Sequence, residues 1–158
     1  MKDKTLQFIN NKLQTLDDLS NLNLDINTII QDLYTTKKLD DALSTEINIT
    51  SGEILHEAIA IEEINVDNFQ IVKSFLEEIQ TKLSSISILS LTTATSLDGQ
   101  SLSKLSRKVK ELIGLNIVLE ITTNPKILGG AEIAYKGKYK NYTLDHQLNE
   151  ILKTYKPT

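Results

Sequence analysis

The sequence contains no cysteine, which excludes disulfide bonds, thiolate catalysis and cysteine-ligated metal sites. It has only two histidines, His56 and His146, and neither has a second ligand at the spacing of a metal site. Its single arginine, Arg107, and its scattered lysines are not accompanied by an aromatic stacking platform, so we expect no nucleic-acid partner. We also expect no metal, no cofactor and no catalytic residues, because no acidic cluster or Ser–His pair stands in a motif.

Long hydrophobic runs are also missing. No apolar stretch approaches the roughly 20 residues that a membrane span needs. The first residues lack both the apolar run of a secretory signal and the arginines of a transit peptide, so we expect an untargeted, intracellular chain. Its 158 residues, 40% hydrophobic and 24% charged, are typical of a globular protein with one sizeable core or two small ones.

Charge divides the chain into two unequal parts. Residues 1–84 contain seven lysines and fifteen acidic residues, a net charge of −8, whereas residues 85–158 have a net charge of +4. Such asymmetry predicts two domains, 1–84 and 85–158, with different partners. Solvated charged faces are the simpler interpretation.

The N-terminal part predicts a small all-α bundle, because apolar residues recur every three or four positions. Four helices are predicted, at residues 3–20 (with Leu6, Ile9, Leu13, Leu16), 26–33 (extended by Leu39, Leu43 and Ile47), 52–61 and 66–83 (with Val66, Phe69, Val72, Leu76, Ile79, Leu83). Asp25, Ser51 and either Asn65 or Asp67 are the predicted N-caps. Residues 45–52 are predicted to form a loop or linker.

The C-terminal part predicts a β-α-β-β-α domain, so the whole chain is assigned to the α+β class. The predicted elements are a strand at 86–94, a helix at 98–113 that Gly114 ends, strands at 116–122 and 131–135, a tight turn at 136–138, and a helix that Thr143 caps and that carries Leu144, Leu148, Ile151 and Leu152. The segment that joins the second and third strands contains Pro125 and the pair Gly129–Gly130. We interpret this pair as structural, because the glycines lead into a strand and not into the helix that a phosphate-binding loop requires.

These motifs resemble the C-terminal domain of the F-type ATP synthase delta subunit family, the bacterial equivalent of the mitochondrial oligomycin-sensitivity-conferring protein. The resemblance covers residues 86–152 and rests on a Thr-Ala strand end, a following leucine, an Asn-Pro-x-x-Leu-Gly-Gly turn and an Asn-Tyr-Thr segment before the last helix. The motif residues are Thr93, Ala94, Leu97, Asn124, Pro125, Leu128, Gly129, Gly130, Asn141, Thr143 and Leu148. The family usually has aspartates in place of Asn124 and Asn141, serine in place of Thr143, and an N-terminal bundle of six helices.

The resemblance implies a non-catalytic peripheral-stalk subunit that links the catalytic head to the stalk and resists the torque of the rotor. It implies that the helical bundle binds the N-terminal helix of an alpha subunit and that the C-terminal domain binds the C-terminus of the b-type stalk helices. It also implies attachment to the cytoplasmic face of the inner membrane through the complex only. The alternative is an adaptor or regulatory module unrelated to the ATPase, and a small hydrolase or transferase is a third possibility.

Overall fold

The fold begins with four helices, which are followed by a mixed β-sheet with two further helices. The computed structural model describes residues 1–36 and 47–154. Its first four helices are α1 (Asp3–Lys12), α2 (Leu16–Thr36), α3 (Ile49–Glu62) and α4 (Phe69–Leu83). The expected α+β class is therefore confirmed, although one strand and several boundaries differ from the prediction.

The break between the first two helices lies at Leu13–Thr15, and the prediction of one helix over 3–20 was wrong. The carboxylate of Asp18 accepts hydrogen bonds from the backbone of Gln14 and Thr15 at 3.0 and 2.9 Å, while the Thr15 hydroxyl accepts one from the Asp18 backbone at 3.1 Å. This reciprocal pair is a capping box, which satisfies amides at the start of α2. Asp25 is therefore not an N-cap but lies inside α2, where its carboxylate accepts a hydrogen bond from the Asn48 backbone at 3.2 Å.

The next two helices begin at asparagines that the sequence prediction passed over. Asn48 caps α3 by accepting a hydrogen bond from the Thr50 backbone at 2.9 Å, so Ser51 is not the cap but a buried residue of the first turn. Asn68 caps α4 in the same way, and the expected caps Asn65 and Asp67 are thus wrong. Val66, which was predicted to start this helix, precedes it and is exposed.

Apolar residues from α1, α2, α3 and α4 form one core. Its fully enclosed members, each 0 or 1% exposed, are Ile9, Leu13, Leu22, Ile26, Ile29, Leu33, Leu55, Ala58, Val72, Leu76 and Ile79. Leu39 and Leu43, which were expected to extend this surface, lie outside the described residues. The α1 and α3 helices are antiparallel neighbours, because the Thr5 hydroxyl and the Lys2 ammonium of the start of α1 bond to Glu62 and Ile61 at the end of α3.

The C-terminal part contains a four-stranded sheet of order β2-β1-β3-β4. The elements are β1 (Ser87–Thr93), α5 (Gly99–Ile113), β2 (Ile117–Thr123), β3 (Ala131–Tyr135), β4 (Lys138–Asn141) and α6 (Leu144–Thr154). The β1 and β2 strands are parallel, with Leu89 opposite Leu119, while β3 pairs antiparallel with β1 and β4 antiparallel with β3. The α5 helix covers one face of this sheet through Leu102, Leu105 and Val109.

The strand β4 is absent from the predicted β-α-β-β-α order. Its four residues, Lys-Tyr-Lys-Asn, carry no apolar alternation, so nothing in their pattern indicates a strand. Pairing follows instead from the turn before it, where Lys136 and Gly137 have φ of 47° and 73°. Two such residues form the tight turn that reverses a strand onto its neighbour. None of the helices within the described residues is long and apolar enough to cross a membrane.

Candidate partner-binding surfaces

The motif residues of the central turn lie at one corner of the sheet, where β1 ends and α6 begins. The backbone amide of Asn124 donates to the Thr93 carbonyl at 2.8 Å, which joins the turn to the end of β1. The Asn124 side chain accepts from the Lys126 backbone at 3.1 Å, and its carbonyl accepts from Ile127 at 3.1 Å. Pro125 is exposed within this compact turn. Asparagine at this position therefore accepts hydrogen bonds from the amides of the turn, as an aspartate would.

The second half of the turn is bonded to the first turn of α6. The carbonyl of Gly129 accepts from the Leu144 backbone at 2.9 Å, and the amide of Leu128 donates to the Asp145 carboxylate at 3.1 Å. Asp145 and the buried Ile127 are members of this corner that the sequence analysis did not select. An acid in the first turn of a helix is the available signal for Asp145, because negative charge is favourable there.

Gly130 has the tightest surroundings of any glycine in the described part of the chain. Its φ is 84°, and a Cβ built on it would lie 2.3 Å from the Tyr142 carbonyl oxygen. A Cβ on Gly129 would lie 2.9 Å from Cδ1 of Leu144, the far end of a flexible side chain. Backbone conformation and close approach thus both require glycine at position 130.

Asn141 and Thr143 form the other wall of the corner. The Asn141 side chain accepts hydrogen bonds from the backbone amide and hydroxyl of Thr143 at 2.9 and 2.7 Å. The Thr143 hydroxyl, which is buried, accepts from the His146 backbone at 3.3 Å and so caps α6. Leu97 packs with the core under α5 instead, Ala94 is half-buried next to Thr93, and Leu148 lies one turn further along α6.

The apolar stripe of α6 is exposed. The described part of the chain covers its four members only in part, and their exposed fractions are 48% for Leu144, 49% for Leu148, 55% for Ile151 and 66% for Leu152. Leu128, in the turn that packs on the start of this helix, is 71% exposed. We call these five residues the α6 face. Contiguous exposed apolar residues of this kind mark sites of protein–protein contact.

A second surface lies in the helical part, between α1 and the first half of α3. It is an open groove of about 740 Å³, lined by Phe8, Lys12, Thr50, Gly52, Glu53, Ile54, His56 and Glu57, and we call it the α1–α3 groove. The Lys12 ammonium lies 5.6 Å from the centre of the Phe8 ring, within cation–π distance. His56 is exposed at this groove, and His146 is exposed on α6.

At the opposite ends of these two helices, Glu62 of α3 accepts hydrogen bonds from the start of α1. Burial by itself raises the pKa of this carboxyl, but hydrogen bonds from the Thr5 hydroxyl and the Lys2 backbone outweigh it, and the pKa is lowered overall. The charged form therefore ties α1 to α3. No three His, Asp or Glu side chains within residues 1–36 and 47–154 converge into a group that could hold a metal ion.

A comparison with protein families identifies the chain over nearly its whole length. The family model for the ATP synthase delta (OSCP) subunit matches residues 2–154. The chain belongs to the ATP synthase delta (OSCP) family. Members of this family are peripheral-stalk subunits of ATP synthase, structural and not catalytic, and they associate with the membrane through the complex. In a comparison with curated proteins, none matches the chain.

The family match also bears on the helical part. The sequence resemblance was confined to residues 86–152, whereas the match extends through α1, α2, α3 and α4. The helical half is thus part of the family architecture.

Proposed function

We propose that this chain is the joint at the top of the peripheral stalk of a rotary F-type ATP synthase, where it links the catalytic head to the stalk helices and resists rotor torque. The observation that carries the proposal is the α6 face. An amphipathic helix stabilises a fold by burying its apolar stripe, and α6 leaves that stripe half exposed or more. A partner helix would bury it in the assembled complex.

The proposed stalk contact is between the α6 face and the C-terminus of a b-type subunit. Residues 85–158 carry a net charge of +4, which would orient an acidic end of a coiled coil toward them. Leu144, Leu148 and Ile151 are spaced i, i+4 and i+7, the spacing by which one helix packs along another. The corner around Gly130 fixes the start of α6, so it would hold this face at a set angle to the sheet. In this proposal the motif residues of the corner have a structural role.

The proposed head contact is between the α1–α3 groove and the N-terminal helix of an alpha subunit. The groove is open and partly apolar, with Phe8 and Ile54 in its lining. A partner helix, about 10 Å wide, would lie along this lining with its apolar face toward Phe8 and Ile54. Glu53 and Glu57, which are exposed, would meet basic residues that flank the apolar face of the bound helix.

In this proposal residues 1–84 serve the head and residues 85–158 serve the stalk, and the chain lies on the cytoplasmic face of a bacterial inner membrane. Two moderate contacts on one body give strong retention, because binding at one site raises the effective concentration at the other. That arrangement suits a tether that must not detach under load.

The test is a tagged pull-down from gently solubilised membranes of the source organism, with the retained proteins identified by mass spectrometry. We expect alpha, beta and b-type subunits in fixed ratio. A matched bait with Leu148→Glu should lose the b-type subunit, while Asn149→Glu, which adds the same charge to the neighbouring position of α6, should keep it. Recovery of unrelated soluble proteins without ATPase subunits would contradict the proposal and favour an adaptor of another system.

A further inference from the structure

The bend between α1 and α2 lies against the C-terminal part of the chain. The backbone amide of Leu119, in β2, donates to the Gln14 carbonyl at 2.9 Å, and Thr15 forms a parallel bridge with Leu119. The Ser103 hydroxyl of α5 also donates to the Gln14 side chain at 3.0 Å. The bend therefore continues the sheet beyond the edge of β2, and we call this contact the bend joint.

The strand β2 contributes to two cores through alternate residues. Ile117 and Leu119 pack under α5 with the sheet core, whereas Val118, which points to the opposite face, belongs to the core of the helical part and is 1% exposed. Because successive side chains of a strand face opposite ways, a single strand serves both. The helical and the α+β parts are consequently packed on each other through β2.

Lys110 is the buried charge at this joint. It extends from α5, is 7% exposed, and its ammonium donates hydrogen bonds to the backbone carbonyls of Asn10 and Leu13. These two carbonyls lie at the C-terminal end of α1, where the last carbonyls of a helix have no partner within the helix. The same end carries the negative pole of the helix dipole. An ammonium group supplies both the donors and the charge that this helix end lacks.

Among residues 1–36 and 47–154, no carboxylate forms an ion pair with the Lys110 ammonium. Burial lowers the pKa of this side chain, and the negative charge of Asp18 opposes the shift only in part. Burying a lysine ammonium without an ion pair costs its hydration free energy. The hydrogen bonds that the ammonium donates must offset this cost. The Asn10 side chain adds a further hydrogen bond across the joint, to Asn116.

We propose that Lys110 is a latch that fixes the helical part of the chain to the α+β part, so that the two move as one body. The latch acts through the α1 carbonyls, and α1 is also one wall of the α1–α3 groove. Without it, Val118 would still be buried, but the bend joint would open more often. This inference rests on the contacts of the chain itself and holds whether or not the proposed partners are correct.

The test is hydrogen exchange of the full-length chain, followed by mass spectrometry or NMR at the amides of the bend joint. In Lys110→Met, which keeps the length and removes the donors, we expect the Leu119 amide to exchange at least tenfold faster than in the unsubstituted chain. Amides in the middle of α4 should keep their rates. The control is Lys108→Met, which removes an exposed lysine from the same helix and should leave every rate within twofold.

If the Leu119 amide exchanged at the same rate in Lys110→Met and Lys108→Met, the proposed role of Lys110 would be wrong, because packing alone would then hold the bend joint. A uniform increase across α4 and Leu119 would also overturn it, since that pattern reports a general loss of stability. If Lys110→Met does not fold, Lys110→Gln, which is neutral but polar, is measured against the same criterion.

Discussion

The helices of the N-terminal part and the last helix of the chain have similar sequence patterns and opposite environments. Leu76, in α4, is 0% exposed within the helical core, whereas Leu148, in α6, is 49% exposed. Both residues lie on an apolar stripe with three- and four-residue spacing. Periodicity thus identifies an amphipathic helix, but the environment of its apolar face depends on what the rest of the chain, or a partner, supplies.

The strongest test of this difference is to replace one stripe leucine of each helix with alanine. Leu76→Ala should lower the free energy of unfolding by about 2 to 5 kcal/mol, because it removes buried methyl groups and leaves a cavity. Leu148→Ala should change it by no more than about 0.5 kcal/mol in the isolated chain. Urea denaturation of both variants measures the difference. Equal losses would mean that α6 is packed in solution and that its face is not free for a partner.

A second comparison concerns two glycines of the α+β part that both have positive φ. Gly137→Ala meets open space, so its cost is the left-handed conformation alone, about 1 kcal/mol. Gly130→Ala meets the Tyr142 carbonyl oxygen as well, and we expect at least twice the loss in the free energy of unfolding. Urea denaturation measures both variants. Equal effects would show that the corner can shift to admit a Cβ.

The smallest expected effect is electrostatic and concerns the start of α5. The Ser101 backbone amide, at 2.7 Å, lowers the pKa of Asp98 below its ordinary value of 3.8. A depressed carboxyl pKa contributes stability that is fully present above pH 3.8 and is lost as the pH falls through the folded-state value. Asp98→Asn keeps an N-cap acceptor but does not titrate. The melting temperature of the variant should therefore fall less steeply below pH 4, and parallel curves would contradict the assignment.

The fold class and most elements could be predicted from the sequence, and the misses have identifiable causes. The break after α1 was missed because Leu13 and Leu16 continue the apolar stripe across it, while the capping box of Thr15 and Asp18 ends the helix locally. The strand β4 was missed because its lysines and tyrosine carry no apolar alternation. In both places the residues of an adjacent turn, and not the apolar pattern, determine the secondary structure.

The candidate surfaces were harder to predict than the fold. The motif around Gly129–Gly130 could be recognised, but the Asp145 contact that ties it to α6 depends on the close approach of two segments 17 residues apart. Sequence patterns also indicated that α6 is amphipathic without indicating that its face is open. The shared role of β2, with Val118 in one core and Ile117 in the other, requires knowledge of how the two parts pack.

The most direct measurement of the proposed role is the binding of purified full-length chain to the catalytic head and, separately, to the b-type stalk subunit. Glu57→Arg should weaken binding to the head at least tenfold and leave stalk binding unchanged, and Leu148→Glu should do the reverse. Asp67→Arg and Asn149→Glu are the matched controls and should change neither affinity. If the two partners bind separate surfaces of the chain, each variant should weaken only one of the two contacts. If either variant weakened both contacts equally, or neither variant had an effect, the assignment of one partner to the α1–α3 groove and the other to the α6 face would be wrong.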